Sequence, residues 1–584
     1  MWKQIFWGVF ALAAIIAVFG LLSTLPRQNY DNNYEAWLNS FDALIKAGKI
    51  FPGWVKTFWY EHGSPLFVFY PPLFFYLAEI PRLLGLSLVM SVKIVVILST
   101  LGAFFSMYWL GRELSGKWGG LIAGLIYLTA PHHFALIYTR GAFAENLAYA
   151  IFPLIIFFIY KLFHDKSWKY IIGLAVSGAA LIMTNLPSLL LFGVFVLFWT
   201  IGLVIIYKKF PLSPILISGI GALGLSAFYW LPVIINMSLV QTYRFISGNY
   251  SFSNYFVSLP QLFDPTRWGM QDYFQLGWVS ILIVAIIIYY LVLRPVDKEA
   301  SNNRLVIMFL ISLFIILLLI TRISSPVWSA VHILQYIQFP FRFLCVVFIL
   351  VALLAAYLGC IAKPIWRVVL LILLFAQAIF FAQPVWPFLP DIYKQDFAYT
   401  TYGDIGAQYI LKPGEKKHED GVPLHLVFHT AEAGYMPNAV NKQDLHDEFN
   451  ANDAIKLVGL SLAEAATYTV SVDRKIISTG VISNFKETPT GASFNYSNPS
   501  TSRVTYRQLA FPGWKVWIDG QTTAWTPNNN HISFIVVAGG GSHDIKITYT
   551  NPPGAVAGRS ISLLFALLLV IFVSIKKRRS IGYR

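Results

Sequence analysis

For most of its length the chain alternates long apolar runs with short polar ones. Runs of about 20 residues, long enough to cross a bilayer as a helix, fall near 5–25, 90–111, 118–134, 146–161, 170–185, 187–207, 213–236, 274–293, 305–321, 342–361, 366–384 and 559–575. They predict twelve spans. A further run, "SPLFVFYPPLFFYLAEIPRLLG" at 64–85, has the length but carries Pro71-Pro72 at its middle, with Glu79 and Arg82 beyond. Proline removes a helical hydrogen bond, and ionised side chains are costly in hydrocarbon. This run is expected to lie in, or dip into, an interface.

Two long segments interrupt the alternation, 26–89 and 385–556. In the first, Tyr34, Trp37, Leu38, Phe41, Leu44 and Ile45 recur at helical spacing, with Glu35, Asn39, Asp42 and Lys46 opposite. The pattern predicts an amphipathic helix on the bilayer surface, with Asp42 on its solvated face. Asn32 stands three residues before Glu35, as in a capping box. Glu35 therefore reads as a helix cap as readily as a functional carboxylate. In the second segment, "RQLAFPGWKVWIDGQTTAWT" and "HISFIVVAGGGSHDIKITYT" alternate apolar and polar residues around Asp519-Gly520 and Gly539-Gly540-Gly541. Both read as hairpins of a mostly β domain. The glycine run is not a phosphate loop, because no helix and no Lys-Ser/Thr follows it. The expected organisation is a multi-span domain at 1–384, a β domain at 385–556, and a last span with a basic tail at 557–584.

Composition fits this picture. The chain is 57% hydrophobic and 12% charged, against about a quarter charged in soluble domains. Its formal charge of +15 raises nucleic acid as a partner, but the basic residues sit in clusters between apolar runs, as the positive-inside rule requires of a membrane protein. If 64–85 does not cross, then Lys3, Arg112/Lys117, Lys161/Lys166/Lys169, Lys208/Lys209, Arg294/Lys298/Arg304, Lys363/Arg367 and the tail "KKRRS" share one side. That places both termini in the cytoplasm and both long segments outside. The first run begins like a signal peptide, but no small-x-small cleavage site follows, so an uncleaved span is expected. Cys345 and Cys360 share one run about 22 Å apart along a helix, too far for a disulfide.

The chemistry is expected on the outer face. Asp31 stands just beyond the first span, where partial desolvation raises a carboxylate's basicity. From residue 118 to 384 every basic residue assigned to the outer face is an arginine: Arg140, Arg244, Arg267, Arg322 and Arg342. Arginine stays charged when desolvated and grips phosphate with a planar fork. Arginines beside a carboxylate suggest a lipid-linked phosphate held next to a base, whereas Arg267 and Arg322 equally suit contact with headgroups. Arg140 and Glu145 are candidates to pair with each other. His132 and His133 are adjacent, wrong for two ligands on one helical face, and read as polar lining of the outer cavity as readily as catalytic groups. Asp31 with Glu35 could hold one divalent ion, although no metal-ligand spacing is present.

The stretches "YDNNYEAWLNSFDALIKAGKIFPGW", "GSPLFVFYPPLFFYLAEI", "YTRGAFAENLAYAIFPL", "QFPFRFL" and "FPGWKVWIDG", in that order, resemble the GT-C superfamily of membrane glycosyltransferases. Within it they most resemble the prokaryotic "6-pyruvoyl-tetrahydropterin synthase-related" membrane proteins, near the YfhO-like proteins. The resemblance implies a polytopic α-helical membrane protein of GT-C type, with about 12 spans and a C-terminal extracytoplasmic β-rich domain. It implies a polyprenyl-phosphate sugar as donor, a glycan, lipid or protein as acceptor, and an outer-face Asp as base, which maps onto Asp31. In the family a His often follows that Asp by three or four positions; here Tyr34 and Glu35 stand there. Arg342 and Arg244 are the candidates to stabilise the leaving phosphate, and "FYPPL", with Tyr70, to form a wall admitting the lipid. The family's label implies no pterin chemistry. A transporter and a non-catalytic envelope scaffold are the competing readings; clean span centres, with charges at the outer ends, weigh against the transporter.

Overall fold

The computed structural model describes residues 2–22, 34–56, 58, 62–268, 273–293, 301–385, 399–402, 407–410, 469–470, 476–528 and 533–581. In chain order the α-helices are α1 (Trp2–Val18), α2 (Tyr34–Lys46), α3 (Leu66–Phe69), α4 (Leu73–Leu83), α5 (Leu88–Leu128), α6 (Pro131–Phe134), α7 (Phe143–His164), α8 (Trp168–Ile182), α9 (Leu186–Tyr207), α10 (Leu212–Leu225), α11 (Ala227–Asn236), α12 (Leu259–Phe263), α13 (Trp278–Leu293), α14 (Ser301–Ile320), α15 (Ser325–Ala330), α16 (His332–Gln335), α17 (Leu344–Ile361), α18 (Pro364–Ala382) and α19 (Ala555–Ile581).

Among the described residues, eight helices are long and apolar enough to cross a membrane, and nine if the pair α10–α11, bent by 74°, counts as one. Helices α8 and α13 are shorter and apolar. The 41-residue α5 is two helices joined at Ser115 and Gly116, where the backbone leaves helical values; the positive φ of 72° at Gly116 suits a residue without Cβ. With α5 divided there and the shorter helices included, the apolar helices coincide with the twelve apolar runs of the sequence. The bend at Ser226 frees the amide of Phe228, which donates to Ser562 Oγ of α19 at 2.9 Å. The break is thus a joint that seats the last helix, with its open hydrogen bond satisfied.

The run 64–85 folds as α3 and α4 on either side of Pro71-Pro72, and neither is long enough to span. Helix α2 differs from the expectation of a helix lying on lipid. Its apolar face is buried inside the protein, Phe41 and Leu38 fully, against the rings of Phe67, Phe74 and Phe75. Asp42 is not on a solvated face either. It is 5% exposed and bonds Lys46 and Arg82, each at 2.9 Å. An acid placed opposite the apolar stripe is buried here because α4 covers that side as well. Helix α2 and the segments 129–142, 240–268, 273–277 and 321–343 gather at one end of the bundle, called here the loop end. At the opposite end Lys161 pairs with Glu113 at 2.7 Å.

The strands are β1 (Tyr399–Tyr402), β2 (Ala407–Ile410), β3 (Thr469–Val470), β4 (Ile476–Ser478), β5 (Val481–Thr488), β6 (Gly491–Asn498), β7 (Ser502–Tyr506), β8 (Trp514–Ile518), β9 (Gln521–Thr523), β10 (Thr526–Pro527), β11 (Phe534–Ala538) and β12 (Gly541–Tyr549). They form a β1-β2 pair and two antiparallel five-stranded sheets, ordered β10-β11-β7-β4-β3 and β5-β6-β12-β8-β9. Alternate residues of both large sheets, such as Phe494, Tyr506, Val516, Val536 and Ile547, fill one core. Asp519-Gly520 is the expected hairpin turn, with positive φ at both residues. The glycine run is not a hairpin. It carries the chain from β11 in one sheet to β12 in the other, because β11 finds its partner in β7 rather than in its successor. Of the expected β domain, most of 386–475 lies outside the described residues. The β core also takes in Trp54, Val68, Phe69 and Val240 from the loop end.

Candidate functional site

The segment between α5 and α7 is unusual in backbone as well as in sequence. Pro131 opens the short α6, a π-helical turn follows over Ala135–Arg140, and Gly141 then takes a left-handed conformation. Widened turns of this kind are frequent at functional sites. Here the turn delivers Arg140 back toward the first turn of α7, where its Nη2 donates to Glu145 Oε2 at 2.9 Å. Arg342, from the distant "QFPFRFL" segment, donates through Nε to the same oxygen at 3.2 Å.

The segment that supplies Arg342 is built to hold it. Its Nη1 donates to Ile337 O at 2.6 Å and to Gln338 Oε1 at 2.8 Å. Gln338 takes a left-handed backbone with φ 69°, a conformation that non-glycine residues adopt at a cost. Phe339 and Phe341 stack with centroids 5.3 Å apart. Arg342 lies 4.6 Å from the ring of Phe339, and Arg140 5.1 Å from that of Phe341. Each guanidinium thus has an aromatic face and a carboxylate edge. The side chains of Arg140, Glu145 and Arg342 are 5%, 6% and 9% exposed. Two guanidiniums share one carboxylate in a low-dielectric setting.

His132 and His133 part ways. His133 is committed to structure, with Nδ1 2.8 Å from Leu128 O and Nε2 2.8 Å from Asn146 Oδ1, while Asn146 Nδ2 reaches Val96 O. His132 is fully buried with neither ring nitrogen partnered among the described residues, in the field of Glu145 and Arg140. Both rings are enclosed, because α6 turns inward against the bundle.

Tyr34 joins α2 to this cluster. Its hydroxyl accepts from Ala144 N at 3.0 Å, next in sequence to Glu145, and lies 3.3 Å from the Tyr70 hydroxyl. Tyr70 packs edge-on to Trp37 at 4.7 Å. Glu35 follows on α2, half-buried. Burial pushes its carboxyl up to about 7, against a lowering by its own backbone amide and by Lys93. Asp31 and Asn32 lie outside the described residues.

Of the remaining candidates, Arg244 is half-buried in the turn Thr242–Ile246, 6.0 Å from the ring of Tyr243. No hydrogen bond or ion pair joins it to the cluster among the described residues. Arg140, rather than Arg244, is the companion of Arg342, because α7 presents a carboxylate to both. Arg267 is exposed beside Asp264 at 3.8 Å, and Arg322 is exposed. Among the described residues no three His, Cys, Asp or Glu side chains come together as metal ligands. Sequence reasoning missed Lys93, Asn146 and Gln338. A lysine inside an apolar run was the readable signal for the first.

The sequence model of a family described as "6-pyruvoyl-tetrahydropterin synthase related domain; membrane protein" matches residues 67–389, more than half of the chain. A curated relative, an uncharacterized protein of Lactococcus lactis subsp. cremoris (strain MG1363), is 24% identical over 353 residues, 55% of this chain and 55% of the relative. The match thus spans about half the length of that relative. Among solved structures, the arabinofuranosyltransferase AftD from Mycobacteria matches at a TM-score of 0.43 and 14% identity, over 68% of this chain and 28% of that one. ArnT from Cupriavidus metallidurans, bound to undecaprenyl phosphate, matches at 0.40 and 13%, over 62% and 61%. The Archaeoglobus fulgidus oligosaccharyltransferase matches at 0.39 and 13%, over 66% and 55%.

Proposed function

The chain belongs to the 6-pyruvoyl-tetrahydropterin synthase related family of membrane proteins, and we propose that it is a GT-C type inverting glycosyltransferase. In this reading it moves a sugar from a polyprenyl-phosphate donor to a glycan, lipid or protein acceptor. The observation that carries the reading is the Arg140–Glu145–Arg342 cluster, two buried guanidiniums on one carboxylate, tied through Tyr34 to the chain that follows Asp31. Asp31 stands three positions before Tyr34, a reach of about 11 Å of extended chain. In this reading the membrane is that of a prokaryotic cell and the loop end is extracytoplasmic, a side that the charge asymmetry of the sequence supports.

In this mechanism Asp31 takes the proton of an acceptor hydroxyl. The acceptor oxygen bonds to the anomeric carbon from the face opposite the phosphate, and the bond from that carbon to the phosphate oxygen breaks with inversion. The polyprenyl phosphate leaves as an anion, its charge offset by Arg140 and Arg342, so no proton donor is required. Tyr70 and α3–α4 form the wall along which the lipid enters.

The test is transfer from a panel of polyprenyl-phosphate sugars to membrane acceptors, read as released polyprenyl phosphate. Asp31→Asn is expected to lower the rate at least about 100-fold, the usual contribution of a general base, with expression and thermal midpoint unchanged. Full activity in that variant removes Asp31 from the mechanism, and no release from any donor removes the reaction.

A further inference from the structure

A cleft lined by none of the arginine-cluster residues opens where α3, α4, α11, the end of β12 and the start of α19 meet. Its walls are mostly aromatic and apolar, among them Phe51, Phe67, Tyr76, Phe228 and Tyr549. Arg559, in the second turn of α19, is the charged residue of the lining. Its guanidinium lies 4.6 Å from the ring of Phe51, it is half-buried, and no carboxylate pairs with it among the described residues. A half-buried guanidinium stacked on one face keeps its N–H edge for an acceptor, and without one the desolvation of its charge is uncompensated. The hydroxyl of Tyr549, on the same wall, is buried and has no partner among the described residues.

The cleft is preformed. Tyr229 donates from its hydroxyl to Phe69 O at 2.8 Å, Asn236 Nδ2 to Pro553 O at 3.0 Å, and Phe228 N to Ser562 Oγ at 2.9 Å. These bonds fix α3, α11 and the head of α19 to one another. Beyond the cleft, α19 presents an open apolar face: Leu563, Leu567 and Val570 are 63%, 52% and 62% exposed. One cation at the head of a long apolar track fits an amphiphile whose acidic group is small.

We propose that this cleft binds a phosphate ester carried on a long hydrocarbon chain, the phosphate on Arg559 and the chain along α19. The cleft shares α3 and α4 with the lipid wall proposed above, but its cation, Arg559, is not one of the arginines assigned there to the donor phosphate. A single guanidinium among aromatic walls is poorly suited to free inorganic phosphate, whose charge asks for several donors.

The test is photo-crosslinking of the purified full chain with a diazirine-bearing phosphatidylglycerol and with diazirine-bearing undecaprenyl phosphate, adducts being mapped to peptides. A diazirine-bearing diacylglycerol, which has no phosphate, is the control. Phosphate-bearing probes are expected to mark 49–56 and 555–570, the control not. Arg559→Gln is expected to lower that labelling about tenfold, and Arg559→Lys to retain part of it, with the thermal midpoint unchanged in both. Labelling of these peptides that survives Arg559→Gln, that matches the diacylglycerol control, or that inorganic phosphate abolishes would overturn the proposal. Because the readout is an adduct at this cleft, it stands or falls independently of sugar transfer.

Discussion

Glu145 holds two guanidiniums through one oxygen, and all three side chains are almost fully buried. Removing one member of such a group leaves the others charged and desolvated, which costs about 3–5 kcal/mol. Glu145→Gln keeps the shape and deletes the charge, so its thermal midpoint in detergent is expected to fall by several degrees. Arg244→Gln, at a side chain outside the cluster, is expected to leave the midpoint where it was. Equal midpoints for Glu145→Gln and the parent would mean that the cluster is solvated in the working protein. The sequence made the residue types legible here, because arginines are conspicuous against an apolar background and Arg140 stands five positions before Glu145. It did not reveal that Arg342 closes the group from almost 200 positions away. That pairing depends on how the turn before α17 lies against the start of α7, which no local pattern encodes. Nor did it reveal that His132 is enclosed, since a histidine's neighbours are set by packing.

At the scale of elements, α2 and α4 are joined by a knot of charges that periodicity misplaced. Asp42, from α2, faces Glu79 and Arg82 of α4, with Lys46 beside it. Burial works against the Asp42 charge, but Lys46 and Arg82 outweigh it and hold the carboxyl below its ordinary range. Glu79 is 3% exposed beside Asp42, and burial, then the Asp42 charge, push its carboxyl up from 4.5 to about 7. Folded chain therefore keeps a proton on Glu79 at pH values where unfolded chain has lost it. The stability this supplies is complete below 4.5 and is lost as pH rises through about 7. The Asp42 contribution runs oppositely, being present above 3.8 and lost only as pH falls through its depressed value. A thermal-melt series from about pH 5 to pH 8 should thus show a decline worth about 1 kcal/mol, and Glu79→Gln should flatten it. An unchanged slope in Glu79→Gln would assign the decline elsewhere. Helix α2 itself was legible, from spacing that survives any environment. What covers its polar side was not, because an amphipathic stripe looks the same against lipid and against a second helix.

On the scale of the whole molecule, the apolar runs specify the spanning helices almost directly, since length and composition decide whether a helix can cross. The two β sheets were legible as strands but not as sheets. Alternation marks a strand and is silent on its partner, so the glycine run looked like a hairpin although it passes between sheets. Least legible was the joint between bundle and sheets, which rests on Trp54. Its indole donates to Gln508 Oε1 at 2.8 Å, stacks on Tyr549 at 5.0 Å and meets the edge of Trp514 at 5.3 Å. Nearby, Lys56 pairs with Glu487 at 2.9 Å and Leu509 N donates to His62 O at 2.6 Å. A tryptophan 1% exposed that completes another region's core should cost about 3–5 kcal/mol when truncated. That cost falls on the attachment as well as on the sandwich. Trp54→Ala is therefore expected to uncouple unfolding: hydrogen exchange across β6, β8 and β12 should quicken while α5, α7 and α17 keep their protection. Trp366→Ala, at a ring 60% exposed, should change neither. Uniform acceleration throughout the chain in Trp54→Ala would mean that bundle and sandwich melt as one unit, and unchanged exchange in β6, β8 and β12 would mean that the sandwich core stands without the bundle's tryptophan.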